Sequence, residues 1–287
     1  MSSEPSPTYC YRHPGVVAGV GCQRCGRPIC PQCMIQASVG FQCPECTHAN
    51  PQKSLSGRQL FGGAGTTDII VGKVLIAVNV GVYLLTVLVG KSLTSTGTVY
   101  EQGVTWGPQV ADGEWWRLVS GAFMHASPLH LLMNMFLLYL LARELEPSIG
   151  HLRFGIVYGV SLLGGALGVM LLSADEATLG ASGAIFGLMG ALVVLQLRAR
   201  QNPWRSGLAG LILINVVLTF SIPGISIGGH LGGLAAGAIA GLLVTPKRWP
   251  QDNAFVKDAF MVLIAIGLGV GAILAAQALA TPLQFWS

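Results

Sequence analysis

The chain has 287 residues, 52% hydrophobic and only 10% charged, with a formal net charge of +4 and a mean hydropathy of +0.62. Soluble domains carry about 25% charged residues, so this composition excludes an ordinary water-soluble globule and favours an all-α, multi-pass integral membrane protein. The basic excess gives no reason to expect nucleic acid, because the cytoplasmic loops of membrane proteins supply the same excess.

Residues 1–50 form a polar module that holds all seven cysteines. Between Met1 and Pro51 there is no apolar h-region of a signal peptide. The module is therefore expected in the cytoplasm, where disulfides are disfavoured and clustered cysteines suggest metal. It contains four ligand pairs: Cys10-x-x-His13, Cys22-x-x-Cys25, Cys30-x-x-Cys33 and Cys43-x-x-Cys46. Eight ligands make two tetrahedral sites, and thiolate-rich tetrahedral sites favour Zn²⁺. So small a polar segment buries little core, and metal would supply folding free energy. The pattern resembles B-box-type zinc modules. That resemblance implies interleaved sites, with Cys10, His13, Cys30 and Cys33 in one and Cys22, Cys25, Cys43 and Cys46 in the other. Sequential pairing is the alternative, and His48 could replace a ligand. The module is expected to recruit a cytoplasmic protein partner or to regulate.

Residues 51–67 read as a Gly/Ser-rich linker, and seven apolar segments follow, at 69–90, 129–145, 154–172, 182–197, 208–222, 225–244 and 259–280. A spanning helix needs about 20 apolar residues, so the fourth and fifth are short, as a helix that begins inside a water-filled cavity can be. Basic residues alternate between loops. Lys53, Arg58 and Lys73 lie at the start of the first segment and Arg143 and Arg153 between the second and third. Arg198, Arg200 and Arg205 lie between the fourth and fifth, and Lys247, Arg248 and Lys257 between the sixth and seventh. The positive-inside rule then places the N-terminus in the cytoplasm and the C-terminus outside. The long loop 91–127 lies outside and carries Trp106, Trp115, Trp116 and Phe123. It is either an interfacial element, where amphipathic rings are favoured, or an ordered extracellular loop.

Three polar groups interrupt the apolar helices, and such residues require a reason. His125, His130 and Asn134 lie at the outer end of the second segment, the last two spaced to share one helix face. Ser182, flanked by Gly180 and Gly183, opens the fourth, and His230 lies near the outer start of the sixth. Singly, each could serve only packing. Together they lie at compatible depths, and Gly233, Gly237 and Gly241 form a small-residue stripe with His230, matched by Gly183 and Gly187 beside Ser182. Small-residue faces let helices approach closely, which would bring an imidazole to the hydroxyl and activate it as a nucleophile. His130, Asn134 and the Ser182 backbone N–H could stabilise an oxyanion. No carboxylate is placed to complete a triad, so the expectation is a Ser182/His230 dyad.

These residues resemble the motifs of rhomboid intramembrane serine proteases, and the likeness extends over about residues 68–244. Trp116-Arg117 matches the family's Trp-Arg motif. His125, His130 and Asn134 match its His/His/Asn motif. Gly180, Ser182 and Gly183 match Gly-x-Ser-Gly, and His230, Gly233 and Gly237 match His-x-x-Gly-x-x-x-Gly. Four motifs in the right order are specific, whereas any one would be weak. The resemblance implies a six-helix core at 68–246, with the loop and seventh helix at 247–287 added to it. It implies an active site in a cavity open to the outer side. It further implies cleavage of transmembrane segments of other proteins near their outer ends, without a catalytic cofactor, and in a bacterium at the cell membrane. His130 and Asn134 would join the oxyanion hole, and Glu146 falls where the family keeps a structural acid, with an expected role in loop packing. Phe186 stands where many relatives have Tyr, so it can stack on His230 but cannot offer a phenolic hydrogen bond. The alternative function is a non-cleaving binding or quality-control protein on the same fold. A transporter relaying protons through His130 and His230 would leave Gly-Ala-Ser-Gly and Trp-Arg unexplained.

Overall fold

The computed structural model describes residues 7–36, 40–49, 68–94, 97–244 and 253–285. The linker at 51–67 and the basic residues Lys53, Arg58, Lys247 and Arg248 lie outside the described residues. The chain divides into two compact units, Met1–Ser56 and Gly57–Ser287.

The first unit contains two small antiparallel ladders followed by a short helix. β1 (Val20–Gly21) pairs with β2 (Pro28–Ile29), β3 (Ile35–Gln36) pairs with β4 (Phe41–Gln42), and α1 spans Pro44–Ala49. Its buried cluster consists of Ile29 and the five cysteines Cys10, Cys22, Cys30, Cys33 and Cys43. The groups expected to bind metal therefore occupy the place of a hydrophobic core.

In the second unit every expected apolar segment is a helix. α2 (Ile70–Gly90) is followed by three short helices of the long loop, α3 (Thr98–Gly103), α4 (Gly107–Ala111) and α5 (Arg117–Ser120). Then come α6 (Pro128–Ile149), α7 (His151–Leu172), α8 (Ser182–Arg198), α9 (Leu208–Ser221), α10 (Ile227–Leu243) and α11 (Ala254–Leu279). Among the described residues, α2, α7 and α11 are each long and apolar enough to cross a membrane, and α6 qualifies together with the turn before it, bent by 95°. Ser127 caps α6 by accepting the His130 N–H, and Pro128 fills its first turn. The short helices include not only α8 and α9, with 17 and 14 residues, but also α10, with 17. The sixth segment was expected to start at 225; the Ser226 hydroxyl accepts the Gly229 N–H and sets the start of the helix two residues later.

α10 lies between α7 and α8, with glycine-rich contacts on both sides. Toward α8, a Cβ on Gly233 would overlap the Gly183 carbonyl oxygen, and one on Gly237 would overlap the Gly187 backbone. Toward α7, a Cβ on Gly228 would overlap the Gly168 carbonyl, and one on Gly232 the Gly164 carbonyl. The first stripe is the expected one; the second is an addition from the structure. Lipid gives apolar helices no hydrophobic drive to associate, so such backbone-to-backbone packing holds them together. Arg198 closes the far end of α10 by donating to the carbonyls of Leu242 and Val244 at 2.7 and 3.2 Å, where orphan carbonyls and the helix dipole favour a cation.

The seventh helix packs on α7 and on α4 of the long loop, burying Ala272, Ala275 and Ala276 against Val110, Ala166, Val169 and Met170. Its ends are fastened by polar bonds. Arg153 of α7 pairs with Asp258 at 3.0 Å, and the Asp175 carboxylate accepts the backbone N–H and the hydroxyl of Thr281.

The long loop is ordered around Arg117. This side chain is 1% exposed and donates to the carbonyls of Glu101 and Val104 and to the carboxylate of Glu114. Trp106 donates to the Asp175 carbonyl, while Trp115 and Trp116 face outward, which suits the bilayer interface. Glu146 is fully buried, and its two oxygens accept the backbone N–H groups of Val71 and Gly72 at 2.8 and 2.9 Å, with His151 beside them. The acid expected to pack a loop instead caps the start of α2, whose first N–H groups otherwise have no partner.

Candidate active site

Ser182 is the first residue of α8, and His230 sits in the first turn of α10. The close glycine contact between these helices brings Ser182 Oγ to 2.7 Å from His230 Nε2. The other ring nitrogen, Nδ1, lies 2.7 Å from the hydroxyl of Thr219 on α9. Phe186, one turn after the serine, stacks on the imidazole with ring centroids 4.1 Å apart and planes within 16°. The imidazole is thus held at both nitrogens and on one face.

Gly180 has φ +116, a backbone conformation that side chains rarely allow. A Cβ there would stand 2.9 Å from His130 Nε2 and 3.8 Å from Ser182 Oγ. The glycine therefore keeps open the space between the serine and His130. His130 Nδ1 accepts the Ala126 backbone N–H at 3.3 Å. An amide can only donate, so the ring proton of neutral His130 lies on Nε2, the nitrogen facing that space. Asn134, 5% exposed, gives one amide hydrogen to the His130 carbonyl at 2.9 Å and keeps a second. The backbone N–H groups at the start of α8 are orphans of the helix terminus.

A cavity of about 390 Å³ joins these groups. Its polar wall holds His130, Asn134, Ser182 and His230; its apolar wall holds Met133, Leu137, Ile185 and Leu218 from α6, α8 and α9. Such a space suits a peptide that is apolar in its side chains and polar in its backbone.

Not every expected site residue enters the cavity. His125 lies behind His130 with rings 5.1 Å apart, and its Nδ1 faces the Phe123 carbonyl. Trp116 faces outward, and Arg117 is held by the loop. The Asp175 carboxylate is bound by Thr281. Thr219 was missed by sequence reasoning. A threonine in an apolar helix normally bonds back to its own backbone, so its sequence carried no signal of a second partner.

The expected metal ligands form two groups in the first unit. Cys10, His13, Cys30 and Cys33 lie together, as do Cys22, Cys25, Cys43 and Cys46, with ligand atoms within 4.8 Å of one another. The arrangement is the interleaved one, and among the described residues His48 belongs to neither group. Zn–S bonds of about 2.3 Å in a tetrahedron place two sulfurs about 3.8 Å apart. Cys25 and Cys43 Sγ are 3.7 Å apart. Burial raises the Cys10 thiol, but hydrogen bonds from the Arg12, Cys30 and His13 backbones outweigh it and hold the thiol at about 6. Cys22 is likewise held at about 6 by the backbones of Cys43, Cys25 and Arg24 against burial. Each group thus holds one thiol lowered toward the thiolate that binds metal. A neighbour in the same group is raised, Cys33 by burial and then the sulfurs beside it, Cys46 by the sulfurs beside it and then burial.

Comparison with known proteins gives one consistent family. The model for the Rhomboid domain matches residues 112–247. The chain is 35% identical over 143 residues to the rhomboid-family protein YdcA of Bacillus subtilis (strain 168), covering 48% of this chain and 72% of that one. It is 31% identical over 199 residues to Rhomboid protease GluP of the same organism, covering 68% of this chain and 38% of GluP. It is 35% identical over 161 residues to RHOMBOID-like protein 5 of Arabidopsis thaliana, covering 53% of this chain and 52% of that one. The chain thus spans about half or less of GluP and of the Arabidopsis protein.

Proposed function

Since this chain belongs to the rhomboid family of membrane proteins, we propose that it is an intramembrane serine endopeptidase working through a Ser182/His230 dyad. The observation that carries this reading is the 2.7 Å contact between Ser182 Oγ and His230 Nε2 at the wall of a half-apolar cavity. Relatives named as rhomboid proteases support the class of enzyme.

Ser182 Oγ adds to the carbonyl carbon of the scissile peptide as its proton passes to His230 Nε2. A helix carries no such reactivity by itself; the imidazole makes the hydroxyl a nucleophile. The charge that develops on the carbonyl oxygen is met by His130 Nε2–H, the second Asn134 N–H and the backbone N–H groups at the start of α8. Each such donor contributes about 10²–10³ in rate. His230 then returns the proton to the departing amine nitrogen, and the C–N bond breaks. A water loses its proton to His230 and attacks the acyl carbon; the bond from that carbon to Ser182 Oγ then breaks as His230 returns the proton to Oγ. The substrates are transmembrane segments of other proteins, drawn from the bilayer and cut near their outer ends.

Residues 68–246 serve as the catalytic core, with 247–287 packed onto it. Loop charges support an N-terminus in the cytoplasm, a C-terminus outside and a dyad facing outward, at the cell membrane if the source is bacterial. The eight Cys and His ligands would hold two structural zinc ions that fold the N-terminal module, and the module would recruit a cytoplasmic protein.

The test uses purified full-length protein, a serine-directed fluorophosphonate probe and a reporter transmembrane substrate. Wild type should label and cleave, while Ser182→Ala and His230→Ala should do neither. A wild type that captures the reporter yet neither labels nor cleaves would establish the alternative, a binding protein on the same fold.

A further inference from the structure

We propose that Thr219 is a positioning residue that fixes the tautomer and orientation of His230; this rests on the dyad reading above. The Thr219 hydroxyl makes two bonds of 2.7 Å, one to the Asn215 carbonyl and one to His230 Nδ1. A hydroxyl has one hydrogen, and a backbone carbonyl can only accept. The Thr219 hydrogen therefore goes to Asn215, and its oxygen lone pair accepts the hydrogen of Nδ1. With Nδ1 protonated, neutral His230 has its free lone pair on Nε2, aimed at the Ser182 hydroxyl 2.7 Å away. The chain of donors runs one way, from Ser182 to His230 to Thr219 to the Asn215 carbonyl.

The arrangement has a consequence for the reaction. When Nε2 takes the serine proton the ring becomes a cation with two N–H groups, and both need acceptors in a buried place. Thr219 is 3% exposed and His230 8%, and the hydroxyl is the acceptor already in place at Nδ1. Without it, the proton is free to move to Nε2, where the ring can no longer accept from Ser182. Thr219 thus does in this site what a carboxylate does for the histidine of a serine triad, with a neutral group on a different helix. Asp175, a carboxylate close in the sequence to Ser182, is occupied by Thr281.

Two measurements on the full chain test this. The first is kinetic, with the reporter substrate. Thr219→Val keeps the shape and removes the acceptor; kcat should fall about 10- to 100-fold, with KM within about twofold because the volume of the cavity that Thr219 lines is kept. Thr219→Ser, which restores the hydroxyl, should recover kcat to within about threefold. Equal kcat for wild type and Thr219→Val, or equal losses in the Ser and Val variants, would overturn the assignment. The second measurement needs no activity. In protein labelled with ¹⁵N-histidine, the His230 signals, identified by their loss in His230→Ala, should show the hydrogen on Nδ1. A hydrogen on Nε2 in wild type would overturn the assignment. If wild type neither cleaves nor labels, the protease reading fails, and the nitrogen signals alone decide the role of Thr219.

Discussion

Substituting Gly233 with alanine tests whether backbone contact between α8 and α10 sets the dyad. A Cβ at this position would overlap the Gly183 carbonyl oxygen and lie 2.7 Å from the Gly183 carbonyl carbon, whereas ordinary contact begins near 3.4 Å. Both obstacles are backbone of a packed helix, so rotamer changes cannot relieve them. α10 must retreat by at least about 0.7 Å, at a cost of about 1–3 kcal/mol for an overpacked contact. Gly233 is three residues from His230, on the same helix face. The same retreat stretches the Oγ–Nε2 distance from 2.7 Å to the limit of hydrogen bonding or beyond. Losing a positioned general base costs about 10²–10⁴ in rate. Fluorophosphonate labelling and reporter cleavage should therefore collapse, with a lower unfolding temperature. Gly81→Ala is the control, because a Cβ there meets nothing within 4 Å. In mid-helix that change should be neutral or stabilise by about 0.5–1 kcal/mol. If Gly233→Ala labels at the wild-type rate and unfolds at the wild-type temperature, helix contact does not set the dyad.

Three more outcomes follow from contacts away from the dyad. Glu146→Gln sets an amide N–H against one of the two backbone N–H groups of Val71 and Gly72. Thermal denaturation should show a loss of about 1–3 kcal/mol, with no change in dyad labelling per folded molecule. Metal analysis of the purified protein should give two zinc ions per chain, one for each four-ligand group. Chelation should abolish hydrogen-exchange protection in residues 8–49 while leaving α7, α8 and α10 protected, since metal binding and folding are coupled in such modules. Asp175 is held below its ordinary 3.8 by the Thr281 hydroxyl and backbone N–H. A depressed carboxyl contributes stability above its unfolded value and loses it as pH falls through the folded one. Protection at the end of α11 should be full at neutral pH and decline only below about pH 3.8; Thr281→Val should remove that acid transition, and its persistence would refute the link.

Much of this molecule follows from local rules. Apolar length marks helices because a chain in lipid must satisfy its own backbone; all seven segments are helices, with ends moved by a few residues. Ser182, His230, His130 and Asn134 stood out because polar groups in such helices are costly. Cys-x-x-Cys pairs showed as ligand pairs because two-residue spacing lets one turn present both sulfurs to one ion. Which pairs combine was open from spacing alone and depends on how the two hairpins fold together.

What the tertiary structure alone decided are partnerships between helices. Spacing along one helix says which residues share a face, but not how that face is rotated or at what depth it meets the next. Hence Thr219 read as an ordinary threonine until α9 placed it on Nδ1 of His230. Glu146 read as a loop acid until α6 brought it under the start of α2. The second glycine stripe of α10 had no visible purpose until α7 lay against Gly228 and Gly232. Sequence supplied the serine and the histidine; the 2.7 Å between them exists because glycines on two helices let the backbones touch.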